Sequence, residues 1–371
     1  MKSGMSVSNK ENEGELIMAK KIVLTGGGTA GHVTPHLAIL PILLSKGYEV
    51  HYIGTENGIE HQMMSKENVV YHAVKSGKLR RYFSWQNFTD PFRVIYGAFQ
   101  SAHQIGKIKP DVCFSKGGFV SVPVVIGAWV HHVPVLCHES DLTPGLANKI
   151  CSKFAKKIAT TFPECAEALG KKAVMTGTPL RPELFAGTRE KGLALAGFTG
   201  EKPVLMMTGG SLGAQSVNKV LREALDELCK DYDVLHLCGK GNLDESLKGK
   251  PGYVQFEFLS AEMPDAFACA DAVLSRAGSN SLCELQALKK PMLLVPYPKG
   301  ASRGDQILNA ESFKSRGLAH FIAQENLNKD SLIKAVHELM DSRETLIQAL
   351  ENAPAANATD KIIEMIEEIQ K

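Results

Sequence analysis

Three glycine-rich stretches carry the features best suited to holding an anion. They are Gly26-Gly-Gly-Thr-Ala-Gly31-His32, Thr208-Gly-Gly-Ser-Leu-Gly-Ala-Gln215 and Ser275-Arg-Ala-Gly-Ser-Asn-Ser281, each following a short apolar run. Glycine lets a backbone turn sharply and approach a ligand closely, and the free N–H groups that open the following helix attract negative charge. One such loop fits a dinucleotide-binding turn, which also wants an acid at the end of the next strand, and Glu56 in Gly54-Thr-Glu-Asn stands near that place. A tight turn with no ligand explains a single loop equally well. A dehydrogenase with one cofactor has no need of three. In open parallel sheets, ligands sit outside the carboxyl ends of strands, so three such loops would line edges that face a common cleft. Glu284 lies one turn into the helix after the third loop, where its carboxylate could accept bonds from two adjacent ribose hydroxyls. An acid drawn there by the helix dipole is the plainer reading.

The elements that must position these loops follow from periodicity. From Lys21 onward, short β-branched runs alternate with longer segments of helical period, the βαβ pattern of a parallel sheet covered on both faces. Strands are expected at 21–25, 49–53, 111–114, 133–137, 157–160 and 173–175. The pattern then restarts, with strands at 204–208, 233–238, 253–258, 272–274, 292–295 and 319–322. Gly177-Thr-Pro-Leu-Arg-Pro182, with two prolines in four residues, reads as an interdomain hinge. The sequence therefore predicts an α/β fold of two Rossmann-like parallel-sheet domains, an N-terminal one over 19–180 and a C-terminal one over 181–354. A short amphipathic helix within 355–371 could return to the first domain. The first residues, up to about Glu15, are polar and lack the apolar core of a signal peptide, and a second plausible start stands at Met18, so 1–18 read as an unstructured leader or a mis-assigned start.

The chain has 371 residues, 44% of them hydrophobic and 22% charged, enough for two cored domains and too apolar for a disordered chain. Net charge is +2, yet residues 1–180 hold 20 Lys and Arg against 13 Asp and Glu, a net +7, and the remainder carries −5. A basic half joined to an acidic half fits one domain that meets an anionic surface. The longest apolar stretch, Phe119 to Cys137, is broken by Pro123, His131-His132 and Pro134, so no membrane span is expected. The 8 cysteines show no paired short spacing and there is no CxxC or HExxH, which leaves neither a disulfide scaffold nor a zinc ligand set. One DxD occurs, Asp231-Tyr-Asp233, where a polar helix gives way to a strand, and reads as solvated turn chemistry. Neither metal nor cofactor is expected.

Taken together, Gly26-Gly-Gly-Thr-Ala-Gly-His-Val-Thr-Pro35, Gly177-Thr-Pro-Leu-Arg181, Gly209-Gly-Ser-Leu-Gly-Ala214, Ser275-Arg-Ala-Gly-Ser-Asn280 with Glu284, and Asp305-Gln306 with Asn309-Ala310 resemble, in order, the motif series of the MurG family. These are the UDP-N-acetylglucosamine:lipid I N-acetylglucosaminyltransferases, and the likeness spans the chain from Lys20. It implies a GT-B fold and a peripheral enzyme on the cytoplasmic face of the membrane, in peptidoglycan synthesis. The reaction implied moves N-acetylglucosamine from UDP-N-acetylglucosamine to the 4-hydroxyl of the muramyl sugar of undecaprenyl-pyrophosphoryl-N-acetylmuramyl-pentapeptide. Donor binding is implied for Glu284 at the ribose, Ser211, Ser279 and Asn280 at the nucleotide and diphosphate, Leu259 at the uracil through its backbone, Gln306 at the sugar and Arg181 from the hinge. Thr29, Ala30 and Gly31 would face the sugar from the first domain. Gly118, His138 and Glu139 fall on the acceptor side. Many relatives read His-Glu-Gln-Asn where this chain has His138-Glu-Ser-Asp141, and an acid cannot donate as that amide does, so Asp141 is left out of the donor set.

An α-linked donor and a β-linked product require one inverting displacement through an oxocarbenium-like transition state. His32 is the expected base, since an imidazole titrates near neutrality and this one ends the first glycine loop, with Glu139 as the alternative. Lys75, Lys78, Arg80, Arg81 and Arg93 interleave with Tyr82, Phe83, Trp85, Phe88 and Phe92, a mixture fitted to an anionic membrane surface. Nucleic acid could take a similar mixture, but the near-neutral whole chain weighs against it. Two rival readings stand beside the transferase: an NAD(P)-dependent oxidoreductase resting on the first loop and Glu56, and a catalytically idle nucleotide-sugar-binding scaffold.

Overall fold

The computed structural model describes residues 19–77, 86–210, 213–300, 304–354 and 356–371. Ser211 and six of the expected membrane-facing residues, Lys78, Arg80, Arg81, Tyr82, Phe83 and Trp85, lie outside the described residues.

The first lobe is a seven-stranded parallel sheet in the order β3-β2-β1-β4-β5-β6-β7. Its strands are β1 Lys21–Gly26, β2 Glu49–Gly54, β3 Val70–Ala73, β4 Val112–Gly117, β5 Val135–Glu139, β6 Lys157–Thr160 and β7 Ala173–Met175. The second is a six-stranded parallel sheet, β10-β9-β8-β11-β12-β13, made of β8 Val204–Thr208, β9 Asp233–Leu237, β10 Tyr253–Phe256, β11 Ala272–Ser275, β12 Met292–Leu294 and β13 His320–Phe321. Central strands such as Ile22-Val-Leu24 and Val204-Leu-Met-Met207 are buried on both faces, which is why they read as continuous apolar runs without alternation.

Strand β3 was not expected. It is a short edge strand whose four residues are half-buried or exposed, so it carries neither an apolar run nor a period of two. Boundaries also shift: β4 and β5 run on to Gly117 and Glu139, and β10 stops at Phe256, leaving Phe258 in a loop.

The two strand orders reverse between β1 and β4 and between β8 and β11. The three glycine loops follow β1, β8 and β11, so all of them lie at these switch points, where a parallel sheet opens a crevice at its carboxyl edge.

Two segments cross between the lobes, and they pair with each other. Thr178 bridges Asn357, Thr178 N donates to Ala356 O at 3.0 Å, and Ala358 N donates back to Thr178 O at 3.0 Å. The helix Thr359–Ile369 then packs on the first lobe, with Ile362, Ile363, Met365, Ile366 and Ile369 buried in one cluster with Ile22, Leu24, Leu40 and Leu43. Each such side chain contributes about 1.5–3 kcal/mol of transfer free energy. Between the lobes, Phe162 meets Phe313 edge-on at 6.0 Å, and both belong to the core cluster of the second lobe.

Candidate functional site

The first glycine loop is braced from beneath. After β1 the chain passes Gly28, makes a single 3-10 turn at Ala30–His32 and enters the helix Thr34–Ser45. Gly28 N donates to Glu60 Oε2 at 3.2 Å, and the same buried carboxylate accepts from Thr55 N at 3.1 Å and from the Thr55 hydroxyl. A side chain at Gly27 would collide with that carboxylate. Glu60 thus takes up the Gly28 amide from beneath the loop, while Glu56 is exposed in the turn. From the other side Gly118, at φ +82°, abuts the Gly27 carbonyl so closely that no Cβ fits. This loop is shaped to present Thr29, Ala30, Gly31 and His32 outward, with Thr29 and Ala30 exposed and His32 half-buried. His32 Nδ1 lies 2.7 Å from Thr29 Oγ1.

His138 and Glu139, expected on the acceptor side, turn inward. His138 is fully buried, with Nδ1 2.7 Å from Lys116 Nζ and Nε2 2.7 Å from the Gly177 carbonyl. Burial and the Lys116 charge hold its pKa well below the usual histidine range. Glu139 accepts from Asp141 N at 3.0 Å, Gly145 N at 3.0 Å and Asn148 Nδ2 at 2.9 Å. Burial still pushes its carboxyl above the ordinary value. Both of its oxygens already accept from the turn 141–148, three of about four acceptor sites being taken.

In the second lobe, the helix Ser279–Ala287 opens directly from the third loop. Asn280 Nδ2 donates across the gap to Gly31 O at 3.1 Å, and its Oδ1 is buried with no partner among the described residues. Glu284, the sixth residue of that helix, is beyond the reach of a simple dipole effect. It lies half-buried in a crevice formed by Thr34 and Pro35 of the first lobe with Thr178, Leu180, Arg181 and Asn280. Burial pushes its pKa up to about 7, opposed by the Arg181 guanidinium. Arg181 itself is exposed at the end of the hinge.

The loop is held by a residue that had no assigned role. Arg276 donates to Val295 O at 2.9 Å, Pro296 O at 3.1 Å and Ser216 Oγ at 3.2 Å, and stacks on Tyr297 at 4.2 Å. It ties the third loop to the helix Gln215–Asp231 that follows the second. Gln306 accepts from Tyr297 N at 3.2 Å through Oε1, with Nε2 toward Gly278. Ser279 is buried at the helix start. Leu259 is half-buried against the core, beside a Phe258 that is 60% exposed.

Four further bonds close the lobes on each other. Leu142 N donates to Asn309 Oδ1 at 3.2 Å, Asn309 Nδ2 to Asp141 Oδ1 at 3.4 Å, Thr143 Oγ1 to Asp305 Oδ1 at 3.1 Å and Ser312 Oγ to Glu164 Oε1 at 2.7 Å. Asp231 and Asp233 lie at the start of β9, the end of the sheet away from the glycine loops. Of the basic and aromatic segment, Lys75 sits 5.5 Å over Tyr96, and the helix Gln86–Ile108 exposes Ile95, Tyr96 and Phe99 by 55%, 53% and 72%. No helix among the described residues is long and apolar enough to cross a membrane.

Glu60 and Lys116 were missed. Lys116 left a trace, a lone cation inside an apolar strand, whereas an acid in the polar stretch 55–62 is indistinguishable from surface.

Residues 22–160 match the N-terminal domain of glycosyltransferase family 28, and residues 204–366 match its C-terminal domain. A UDP-N-acetylglucosamine–N-acetylmuramyl-(pentapeptide) pyrophosphoryl-undecaprenol N-acetylglucosamine transferase from Lachnospira eligens is 53% identical over 95% of this chain and 100% of its own. A second transferase of that name from Bacillus cereus is 55% identical over 94% of this chain and 99% of its own. Among solved structures, MurG of Acinetobacter baumannii superposes with a TM-score of 0.77 at 23% identity, covering 94% of this chain and 99% of that one. A calicheamicin glycosyltransferase superposes at 0.68 with 14% identity, covering 95% and 98%. The fold is the GT-B arrangement of two facing parallel-sheet lobes.

Proposed function

The chain belongs to glycosyltransferase family 28, and from that premise we propose that it transfers N-acetylglucosamine from UDP-N-acetylglucosamine to the muramyl 4-hydroxyl of undecaprenyl-pyrophosphoryl-N-acetylmuramyl-pentapeptide. This is the lipid I to lipid II step of peptidoglycan synthesis. The observation that carries the reading is the Asn280 to Gly31 hydrogen bond at 3.1 Å, because the donor-side helix and the loop bearing His32 then border one gap, with Glu284 in the same crevice.

In this reading the ribose hydroxyls donate to the Glu284 carboxylate, and the uracil meets the backbone at Leu259. Ser211, Ser279, Asn280 and the helix N–H groups hold the diphosphate, Arg181 reaches it from the hinge, and Gln306 takes the sugar hydroxyls. With the His32 proton on Nδ1, toward Thr29 Oγ1 at 2.7 Å, Nε2 is the nitrogen that accepts the proton in this reading. As the acceptor oxygen bonds to the anomeric carbon, its proton passes to Nε2 and the bond to the UDP oxygen breaks on the opposite face. Oriented N–H groups stabilise the departing charge. Glu139, already accepting from three donors, is the less suited base in this reading.

The lipid acceptor places the enzyme at an anionic membrane surface as a peripheral protein. The exposed Ile95, Tyr96 and Phe99, continuing the basic and aromatic segment 75–93, support this. Nothing in this reading calls for nucleic acid or a nicotinamide. The deciding experiment is a single-turnover assay with UDP-N-acetylglucosamine and a soluble lipid I analogue. Donor binding by calorimetry without any transfer would leave the idle scaffold in its place.

A further inference from the structure

Lys116 is the cation least expected where it stands. It is the penultimate residue of β4 with 1% of its surface exposed, directly against Gly26 of the first glycine loop, and it has no carboxylate within ion-pairing distance among the described residues. Its ammonium is bound instead to two neutral groups, His138 Nδ1 at 2.7 Å and the Ser140 hydroxyl. An ammonium can only donate, so His138 Nδ1 must accept, and the imidazole is then the neutral tautomer that carries its proton on Nε2. That proton is donated to Gly177 O at 2.7 Å. The chain of donors therefore has one direction, from Lys116 through His138 to the hinge.

The second arm leads to the interlobe latch. Ser140 is followed by Asp141 and Leu142, and these are the residues that grip Asn309 of the second lobe through Asp141 Oδ1 and Leu142 N. Asn309 in turn donates to Ala277 O of the third glycine loop at 3.2 Å. We propose that Lys116 is a positioning residue for glycosyl transfer, registering the two lobes by acting through His138 on the hinge and through Ser140 on the Asp141–Asn309 latch. The proposal deepens the transferase reading and rests on it, since registration matters only if reacting groups are shared between the lobes.

The charged and titratable groups around the ammonium come from every element packed on it. They are His138 and Glu139 of β5, Asp141 beyond it, His36 of the helix Thr34–Ser45 and Cys283 of the helix that bears Glu284. Burial lowers the Lys116 pKa to about 8, while Glu139, Cys283 and Asp141 hold it up. Burial of His36 and the nearby Lys116 charge lower the His36 pKa to about 3, so that ring stays neutral. Loss of the Lys116 proton leaves a neutral amine, a weaker donor than the charge-assisted one, so registration weakens as pH rises through about 8.

The test uses the full-length protein and two variants. Lys116→Met removes the donor while filling a similar volume, and leaves His138 Nδ1 without that partner. Ser140→Ala cuts only the latch arm. Hydrogen–deuterium exchange is read at the peptides covering Leu142 and Thr178, with kcat, donor KM and the pH profile. Lys116→Met is expected to accelerate exchange at both peptides and to lower kcat about tenfold or more with donor KM within about twofold. The alkaline limb of kcat near pH 8 is expected to disappear. Ser140→Ala is expected to accelerate exchange at Leu142 alone. Unchanged exchange at both peptides in both variants, or a Lys116→Met enzyme with wild-type kcat and an intact alkaline limb, overturns the proposal. Failure of the wild-type protein to transfer the sugar at all would strike the transferase reading instead, and the exchange data would still decide the role of Lys116.

Discussion

In the proposed site, Glu284 should make donor affinity depend on pH in a way that can be worked out in advance. In the free protein burial raises its pKa to about 7, so near neutrality only about half the molecules carry the carboxylate. A ribose diol donates two hydrogen bonds and needs an acceptor-only group, so the ionised form is the one that binds. The binding free energy then includes the cost of ionising the acid, RT ln(1 + 10^(pKa − pH)). That is about 1.4 kcal/mol at pH 6, about 0.4 at pH 7 and under about 0.1 at pH 8. Affinity for UDP-N-acetylglucosamine should therefore fall about tenfold from pH 8 to pH 6, with release of about half a proton per site at pH 7. The sign for the free protein is opposite. A carboxyl raised in the folded state contributes stability that is fully present below the ordinary carboxylate pKa and is lost as pH rises through about 7. The assay is calorimetric titration with UDP-N-acetylglucosamine, whose diphosphate does not titrate in this range, in buffers of different ionisation enthalpy. Glu284→Gln should bind more weakly and without the slope. A flat wild-type profile, or a Glu284→Gln variant that keeps the tenfold dependence, refutes the reasoning.

Other consequences are simpler to state. His32→Ala should lose turnover while donor affinity measured by calorimetry survives, and Thr29→Ala, which frees the imidazole to adopt either tautomer, should lower kcat by a smaller factor; near-normal turnover in the histidine variant removes it as the base. Glu60→Ala strands the Gly28 and Thr55 amides and should cost about 2–4 kcal/mol in denaturant unfolding, with a wild-type midpoint counting against the bracing role. Activity should persist in chelator, because Asp231 and Asp233 stand at the far end of the sheet from the glycine loops; complete loss with EDTA restored by magnesium would reverse this. Binding to anionic vesicles should fall with salt and with neutralisation of Lys75, Lys78, Arg80, Arg81 and Arg93, and indifference to both would remove the segment from the membrane contact.

Much of this architecture is legible in the sequence because the signals are local. A buried parallel strand is an apolar run, a phosphate-binding turn needs glycine, and a hinge collects proline, so eleven of the thirteen strands lie where short β-branched runs predict them to within two residues at either end, β10 and β13 keeping only part of their expected spans. Strand β3 escapes because its pairing with β2 is set by its neighbour, with no face of its own to bury. The same limit applies at the site. Thr29, His32, Asn280 and Glu284 announce themselves by standing in or just after glycine loops. His138 and Glu139 carry equally suggestive chemistry, yet their roles are decided by partners 22 and 39 residues away at Lys116 and Gly177, and by the turn at Asn148.

That difference bears on how the two lobes cooperate. The half of the chain that would hold the anionic donor carries the net negative charge, so attraction at long range cannot be what holds a diphosphate there. Binding must come from short-range donors, the helix-opening amides and a few side chains, whose worth depends on placement to a fraction of an ångström. In the proposed site most of these donors would lie on one lobe and the base on the other. The polar groups that span the boundary, at Asn280, Asn309, Asp305 and Glu164, therefore set the geometry of the reacting pair. The internal struts beneath them, Glu60 under the first loop, Arg276 under the third and Lys116 at the hinge, keep each lobe rigid enough for that boundary to have one register.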